Sequence, residues 1–222
     1  MRVLGFLALT ALFSANAFAV PIHWNTWTSA SSGSLTAGSS TVAVTFATSN
    51  FHTNVANYPS WSPASTFADG ALVDNGPAQS NGIMQLIGGT SSLNTLTFST
   101  PVVDPVFAIW SLGRPGLEAS FDFVGIVPLF VAGGPSAEYG GSAITVSGNA
   151  VNGQEGNGTI RFNGTFSSIQ WTNPVSEFWY GFDVGIANVG TPTPVPEPGQ
   201  LFLFVLGLGL LIGFRGLARS RG

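Results

Sequence analysis

The fourteen residues Gly158-Thr159-Ile160-Arg161-Phe162-Asn163-Gly164-Thr165-Phe166-Ser167-Ser168-Ile169-Gln170-Trp171 carry the pattern on which the fold turns. Apolar and polar residues alternate through Gly158–Phe162 and again through Phe166–Trp171, the period of two expected of a strand with one face in a core and the other in water. Asn163-Gly164 stands between them. That dipeptide is the strongest short hairpin signal, because both central residues of a type I′ turn need positive φ. The stretch predicts a β-hairpin closed by Asn163 and Gly164.

Outward from it the alternation recurs. Val42, Val44 and Phe46 fall at every second place around Ala43 and Thr45; Leu96 and Phe98 lie between Thr95, Thr97 and Ser99; Phe121 and Phe123 flank Asp122. Candidate strands are Ile22–Thr28, Thr41–Thr48, Ile83–Ile87, Thr95–Ser99, Val106–Ser111, Ala119–Val127, Ala143–Val146, Gly158–Phe162, Phe166–Trp171 and Phe178–Ile186. The texture of Ser, Thr, Gly and Asn with short runs of Val, Ile, Phe and Trp favours strand over helix. Short strands with frequent turns predict an all-β, antiparallel β-sandwich or jelly-roll domain. Ala30–Ser40 and Asn54–Gly82 read as long polar loops, the second a functional candidate.

Both ends have a different character. Arg2, the apolar Val3–Phe13 and the small-x-small Ala17-Phe18-Ala19 predict a secretory signal peptide over 1–19, cleaved after Ala19. At the other end, prolines at every second place from Pro192 to Pro198 predict a stiff, extended stalk over 190–199. Leu201–Phe214 follows without a charge, and Arg215, Arg219 and Arg221 close the chain. The segment 200–222 thus predicts a single C-terminal transmembrane helix with its basic residues retained inside. Its uncharged part, at about 1.5 Å per residue, spans roughly 21 Å against the roughly 30 Å of a bilayer core, so it suits a temporary stop better than a permanent anchor. A plain tail anchor on a proline-rich stalk is the alternative.

Val195-Pro196-Glu197-Pro198, a Leu/Gly-rich helix and a terminal Arg cluster, in that order, resemble the PEP-CTERM sorting signal of Gram-negative bacteria. On that resemblance, Pro196, Glu197 and Pro198 take the place of the sorting motif and Arg215, Arg219 and Arg221 that of the basic stop over a signal of 195–222. The resemblance implies recognition by an exosortase, a membrane protease-transpeptidase, after delivery by the secretion machinery, in organisms that make exopolysaccharide. It implies an inner-membrane precursor and a product at the cell surface or in the extracellular matrix. Phe98–Gly113, Ile160–Trp171 and Glu177–Ile186 are similar to stretches of other exported PEP-CTERM proteins, which implies a shared β domain and no chemistry.

Between Val20 and Pro194, a stretch that includes the exported domain of 20–189, the chain holds two arginines, Arg114 and Arg161, against nine carboxylates, a net −7. With no lysine and no basic patch, nucleic acid and anionic lipid headgroups are excluded as partners. Without cysteine there are no disulfides, thiolate metal sites or cysteine nucleophiles. A glycosidase needs two facing carboxylates, and Glu118 with Asp122 or Glu138 with Glu177 can be drawn as pairs. His23 and His52, the only histidines, have no Gly-x-Ser-x-Gly and no metal-ligand spacing beside them. No cofactor is expected; Asp69, Asp74 and Asn75 form the one loop cluster suited to Ca²⁺. Tyr58 and Trp61, in a Pro-rich stretch, are the candidate exposed platform for sugar rings. The reading is a displayed structural or adhesive protein rather than an enzyme, with a carbohydrate-binding or carbohydrate-cleaving domain as the alternative.

Overall fold

Val42, Val44 and Phe46 do what their spacing predicts: all three are buried, while Thr41, Ala43 and Thr45 between them are exposed. The computed structural model describes residues 21–48, 54–56 and 61–189. In chain order their strands are β1 (His23–Trp24), β2 (Thr26–Ser29), β3 (Ser32–Ala37), β4 (Ser40–Ala47), β5 (Asn54–Ala56), β6 (Ile83–Leu86), β7 (Thr90–Val103), β8 (Val106–Leu112) and β9 (Ala119–Phe123). β10 (Leu129–Gly133), β11 (Ser142–Ala143), β12 (Thr145–Ser147), β13 (Ala150–Gly153), β14 (Gly156–Arg161), β15 (Thr165–Asn173), β16 (Tyr180–Ile186) and β17 (Asn188–Val189) complete the set. One short helix, α1 (Ala64–Phe67), and a 3₁₀ turn at Gln79–Asn81 lie between β5 and β6.

The protein is all-β, with two sheets. The first runs β10-β14-β8-β16-β6-β5, with β1 beside β16 and β11 beside β14. The second runs β12-β13-β9-β15-β7-β4-β3-β2, with β17 beside β7. Pairing is antiparallel except between β11 and β14. Phe107, Ile109 and Phe182 from the first sheet and Phe46, Phe121 and Trp171 from the second belong to one shared core, the arrangement of a sandwich. Its centre is aromatic: Trp171 meets Phe182 edge-on at 5.3 Å and stacks on Phe46 at 5.6 Å. In a chain without disulfides, this ring cluster contributes to the stability of the core that the two sheets share.

The second sheet has one wet face, and its strands alternate. The first does not: β8 and β16 are buried along their whole length. Val106, Ala108 and Trp110, on the far side of β8, pack with Trp24, Trp61, Phe67, Val73 and Ile83 in a second cluster. Residues 61–82 therefore form a cover over the outer face of the first sheet, and not the open loop expected of Asn54–Gly82. The Thr159 hydroxyl ties the cover down by donating to the Phe67 carbonyl at 2.8 Å, and Thr66 donates to the Pro135 carbonyl at 2.8 Å.

The hairpin expected at Asn163-Gly164 does not form. β14 belongs to the first sheet and β15 to the second, where it pairs with β7 and β9. Only Gly164 of the pair has positive φ, at 125°, so the type I′ geometry is absent. Asp104 replaces the missing partner. Its carboxylate accepts from the Gly164 amide at 2.7 Å and pairs with Arg161 at 2.6 Å, while its own amide donates to the Gly164 carbonyl at 2.8 Å. Phe162 is fully buried in the shared core, and the chain changes sheets just beyond it.

Other boundaries moved for related reasons. Ala30–Ser40, read as a loop, contains β3, which pairs with β4 from Ser32↔Thr45 to Ala37↔Ser40. Its inward residues Gly33, Leu35 and Ala37 are mostly small, so their alternation is faint in the sequence. Ile22–Thr28 splits at Asn25, with β1 in the first sheet and β2 in the second. Thr95–Ser99 is the middle of the longer β7, and β9 ends at Phe123 rather than Val127. The signal peptide of 1–19, the stalk of 190–199 and the helix of 200–222 lie outside the described residues. Among the described residues no helix is long and apolar enough to cross a membrane.

Candidate functional site

The site grows out of a fault in the pairing of β8 with β14. Ile109 faces Gly158 and Leu112 faces Gly156, so Trp110 and Ser111 together oppose the single residue Asn157. Such a β-bulge re-aims the side chains beside it. Ser111 takes positive φ, 57°, unusual for a residue with a Cβ, and its amide donates to the Asn157 Oδ1 at 2.8 Å. The Asn157 Nδ2 in turn donates to the carbonyls of Glu155 and Gly140, at 3.1 and 3.2 Å. Glu155 is also left-handed, at φ 59°. These constraints bring the buried Ser111 hydroxyl onto Glu155, where it donates a short hydrogen bond to Oε1.

Gly113 lets the strand close over this point. Its φ is +72°, and a Cβ there would overlap the Gly153 carbonyl. Beyond it Arg114 and Leu117 exchange backbone hydrogen bonds at 3.0 and 2.8 Å, which leaves the Arg114 side chain exposed beside the carboxylates. Glu177 enters from the segment before β16, its amide held by the Ile87 carbonyl at 2.8 Å. Burial pushes its carboxyl up to about 7; the Gly113 amide and Arg114 pull the other way, and the charge of Glu155 raises it further. One Glu177 oxygen is shielded from solvent without a hydrogen-bond partner among the described residues. Deeper still, burial first and then the Glu177 charge keep the Tyr180 hydroxyl protonated; it too lacks a described partner.

Trp110 packs against Trp179 at 4.7 Å and against Tyr139 at 5.3 Å. Phe178, next to Glu177, is 84% exposed, the most of any large apolar side chain among the described residues. Glu155 and Glu177, the second raised to about 7 by burial, thus lie near the exposed cation Arg114, and Phe178 follows Glu177 in the chain. Chemically this arrangement accepts and donates hydrogen bonds to hydroxyl groups while offering a flat apolar face.

The residues singled out from the sequence fare unevenly. Trp61 is no exposed platform: it is 6% exposed, inside the cover, edge-on to Phe67 at 5.2 Å. Apolar surface above the first sheet draws it in, because that sheet is buried on both sides. Tyr58 and His52 lie outside the described residues, as do Ala17, Ala19, Pro196, Glu197, Pro198, Arg215, Arg219 and Arg221. In the calcium cluster, the Asp69 Oδ1 accepts the amides of Ala71, Leu72 and Val73 at 2.8–3.0 Å. Burial works to raise its pKa, but those amides together outweigh it and hold the carboxyl below its usual value. Asn75 is bound to both the amide and the carbonyl of Ile22. Among the described residues no three His, Asp or Glu side chains gather as a metal cradle.

Of the glycosidase pairs, Glu118 is exposed before β9 and Asp122 lies on the strand's outer side. Glu177 feels Glu155 instead. Spacing did not reveal Glu155 or Ser111, which are 44 residues apart. The one local signal was Gly153, Gly156 and Gly158 crowding Glu155, the mark of tight backbone approach. A polar groove of about 440 Å³ beside His23 is the other concavity of note, but its Asn75, Asn81 and Trp24 are spent on holding β1 and β2 in place. Comparison of the chain with protein-family models, curated proteins and solved structures finds no match.

Proposed function

We propose that this chain is an exported protein displayed at the cell surface or in the extracellular matrix, sorted by its C-terminal segment and recognised there by an exosortase. The observation that carries the proposal is the order of parts in 195–222: the Pro196-Glu197-Pro198 turn, an uncharged stretch too brief for comfortable spanning, and the arginines at the end. The domain's layout supports it. β1 starts at His23, past the cleavage point after Ala19, and β17 ends at Val189, before the stalk, so both processing steps fall outside the described strands. A sandwich with an acidic, Ser/Thr-rich surface and no cysteine is suited to a hydrated exopolysaccharide matrix and needs no oxidative folding.

The test replaces Pro196, Glu197 and Pro198 with alanine. Export continues, but the surface-released protein keeps its tail and its mass rises accordingly. Release at unchanged mass makes the motif a spacer and sinks the sorting proposal. A second reading, a carbohydrate-binding or carbohydrate-cleaving domain acting on the same matrix, is favoured by one specific observation: Glu177 lies near Glu155, and Phe178, next to Glu177 in the chain, is exposed.

A further inference from the structure

We propose that Asn163 is a self-modifying site: the backbone nitrogen of Gly164 attacks the Asn163 side chain, with Asp104 as the base, and converts the residue to aspartate or isoaspartate at the corner where the chain changes sheets.

The chain holds five Asn-Gly pairs, beginning at 75, 81, 152, 157 and 163. Such pairs are the most open to this chemistry, because glycine brings no Cβ to crowd the nitrogen that must reach the asparagine side chain. Reaction also needs a side chain free to turn toward that nitrogen, and the fold denies this to four of the five. Asn75 is bound to both the amide and the carbonyl of Ile22, and Asn81 accepts from the Ala78 amide while donating to the Asn25 carbonyl. Asn157 is fully buried and tied to the Ser111 amide and to the carbonyls of Glu155 and Gly140. Asn152-Gly153 runs within β13, paired with β9 along one side and, at Asn152, with β12 on the other, so its backbone is held extended. Asn163 differs from all of them. It is exposed, and its side chain makes no hydrogen bond among the described residues.

The corner also supplies a base. The Gly164 N–H donates to the Asp104 Oδ1 at 2.7 Å, within the reach of a general base on the proton it takes. Arg161 on the other Asp104 oxygen, and the bond from the Asp104 amide to the Gly164 carbonyl at 2.8 Å, hold the carboxylate in place. In the step, the Gly164 proton passes to Asp104 and the Gly164 nitrogen bonds to the Asn163 Cγ. The Cγ–Nδ2 bond breaks, and Nδ2 leaves as ammonia with that proton. Solvent water then opens one of the two carbonyl–nitrogen bonds of the succinimide ring, giving aspartate or isoaspartate. Either product adds a carboxylate beside the glycine whose amide Asp104 binds, and isoaspartate reroutes the backbone through the side chain.

Peptide mapping by mass spectrometry, with isoaspartate resolved chromatographically, tests this on the full chain incubated at neutral pH in a zwitterionic detergent. Asn163 converts first of the five, and about tenfold faster in the folded chain than in the same chain unfolded in urea. Asp104→Asn keeps an acceptor but no base and slows the conversion by about tenfold. Arg161→Gln breaks the same ion pair, keeps the base and leaves the rate nearly unchanged, which separates proton removal from loosening of the corner. Earlier conversion at another Asn-Gly pair, slower conversion in the folded chain than in urea, or an Asp104→Asn rate equal to the parent's overturns the proposal.

Discussion

Asp183 is the residue the sequence disguises most. It lies between Phe182 and Val184 on β16 and is wholly buried. Burial raises its carboxyl well above the usual range; the Val184 amide and the Trp27 and Asn25 side chains turn toward it and oppose this, without closing full hydrogen bonds. Glu177 is raised in the same sense. The folded state therefore holds protons that the unfolded chain gives up, and stability declines with rising pH, from 3.8 upward for Asp183 and from 4.5 through about 7 for Glu177. Denaturant unfolding should give a higher midpoint at pH 5 than at pH 8. In Asp183→Asn the slope should flatten, and the variant should exceed the parent at pH 8 by about 1–3 kcal/mol. An unchanged slope in the variant would place the titration elsewhere. Nothing in Phe178–Ile186 as a sequence marks Asp183 as buried, because an acid between apolar residues ordinarily signals the wet face of a strand. Asn173 was equally silent, though it accepts from the Trp171 indole at 2.9 Å and the Asn94 amide at 2.8 Å in a satisfied buried network.

At the scale of elements, period-two alternation identified strands where one face is wet. β4, the middle of β7 and β9 were legible because Val, Leu and Phe there are separated by polar or small residues. Legibility failed for strands of small residues, such as β3 and β13, and for joints set by partners distant in sequence. Asn163-Gly164 is the clearest case: its local chemistry favours a hairpin, yet Asp104, some 60 residues earlier, binds Gly164 while β15 finds β7. The bulge that shapes the candidate site was hidden for the same reason, since it exists only when β8 meets β14. The cover is the third such element. Phe67 closes it, fully buried in a four-residue helix that has no side-chain cap. A helix this short owes its existence to packing. Phe67→Ala should cost about 3–5 kcal/mol in thermal or denaturant unfolding and speed amide exchange across 61–82 first. A loss below about 1 kcal/mol would show that the cover is not part of the cooperative fold.

For the molecule as a whole, two layers of sheet and a strapped cover do the work that disulfides do in many small secreted domains. One sheet is shielded on both sides, so its strands read as continuous apolar runs, and the rings between the sheets form a single cluster. Composition alone made the all-β class and the acidic surface legible. The site was legible only in part: Glu177 was drawn in the sequence as a carboxylate paired with Glu138, but the neighbours it has in the fold, Glu155 and through it Ser111, come from distant parts of the chain. The account's central claim concerns the two ends, and mass spectrometry of the protein recovered from the surface of intact exosortase-bearing cells tests it most directly. It predicts a chain that begins at Val20 and lacks the Leu201–Phe214 stretch with the arginines beyond it. A surface protein that still ends at Gly222 would contradict it.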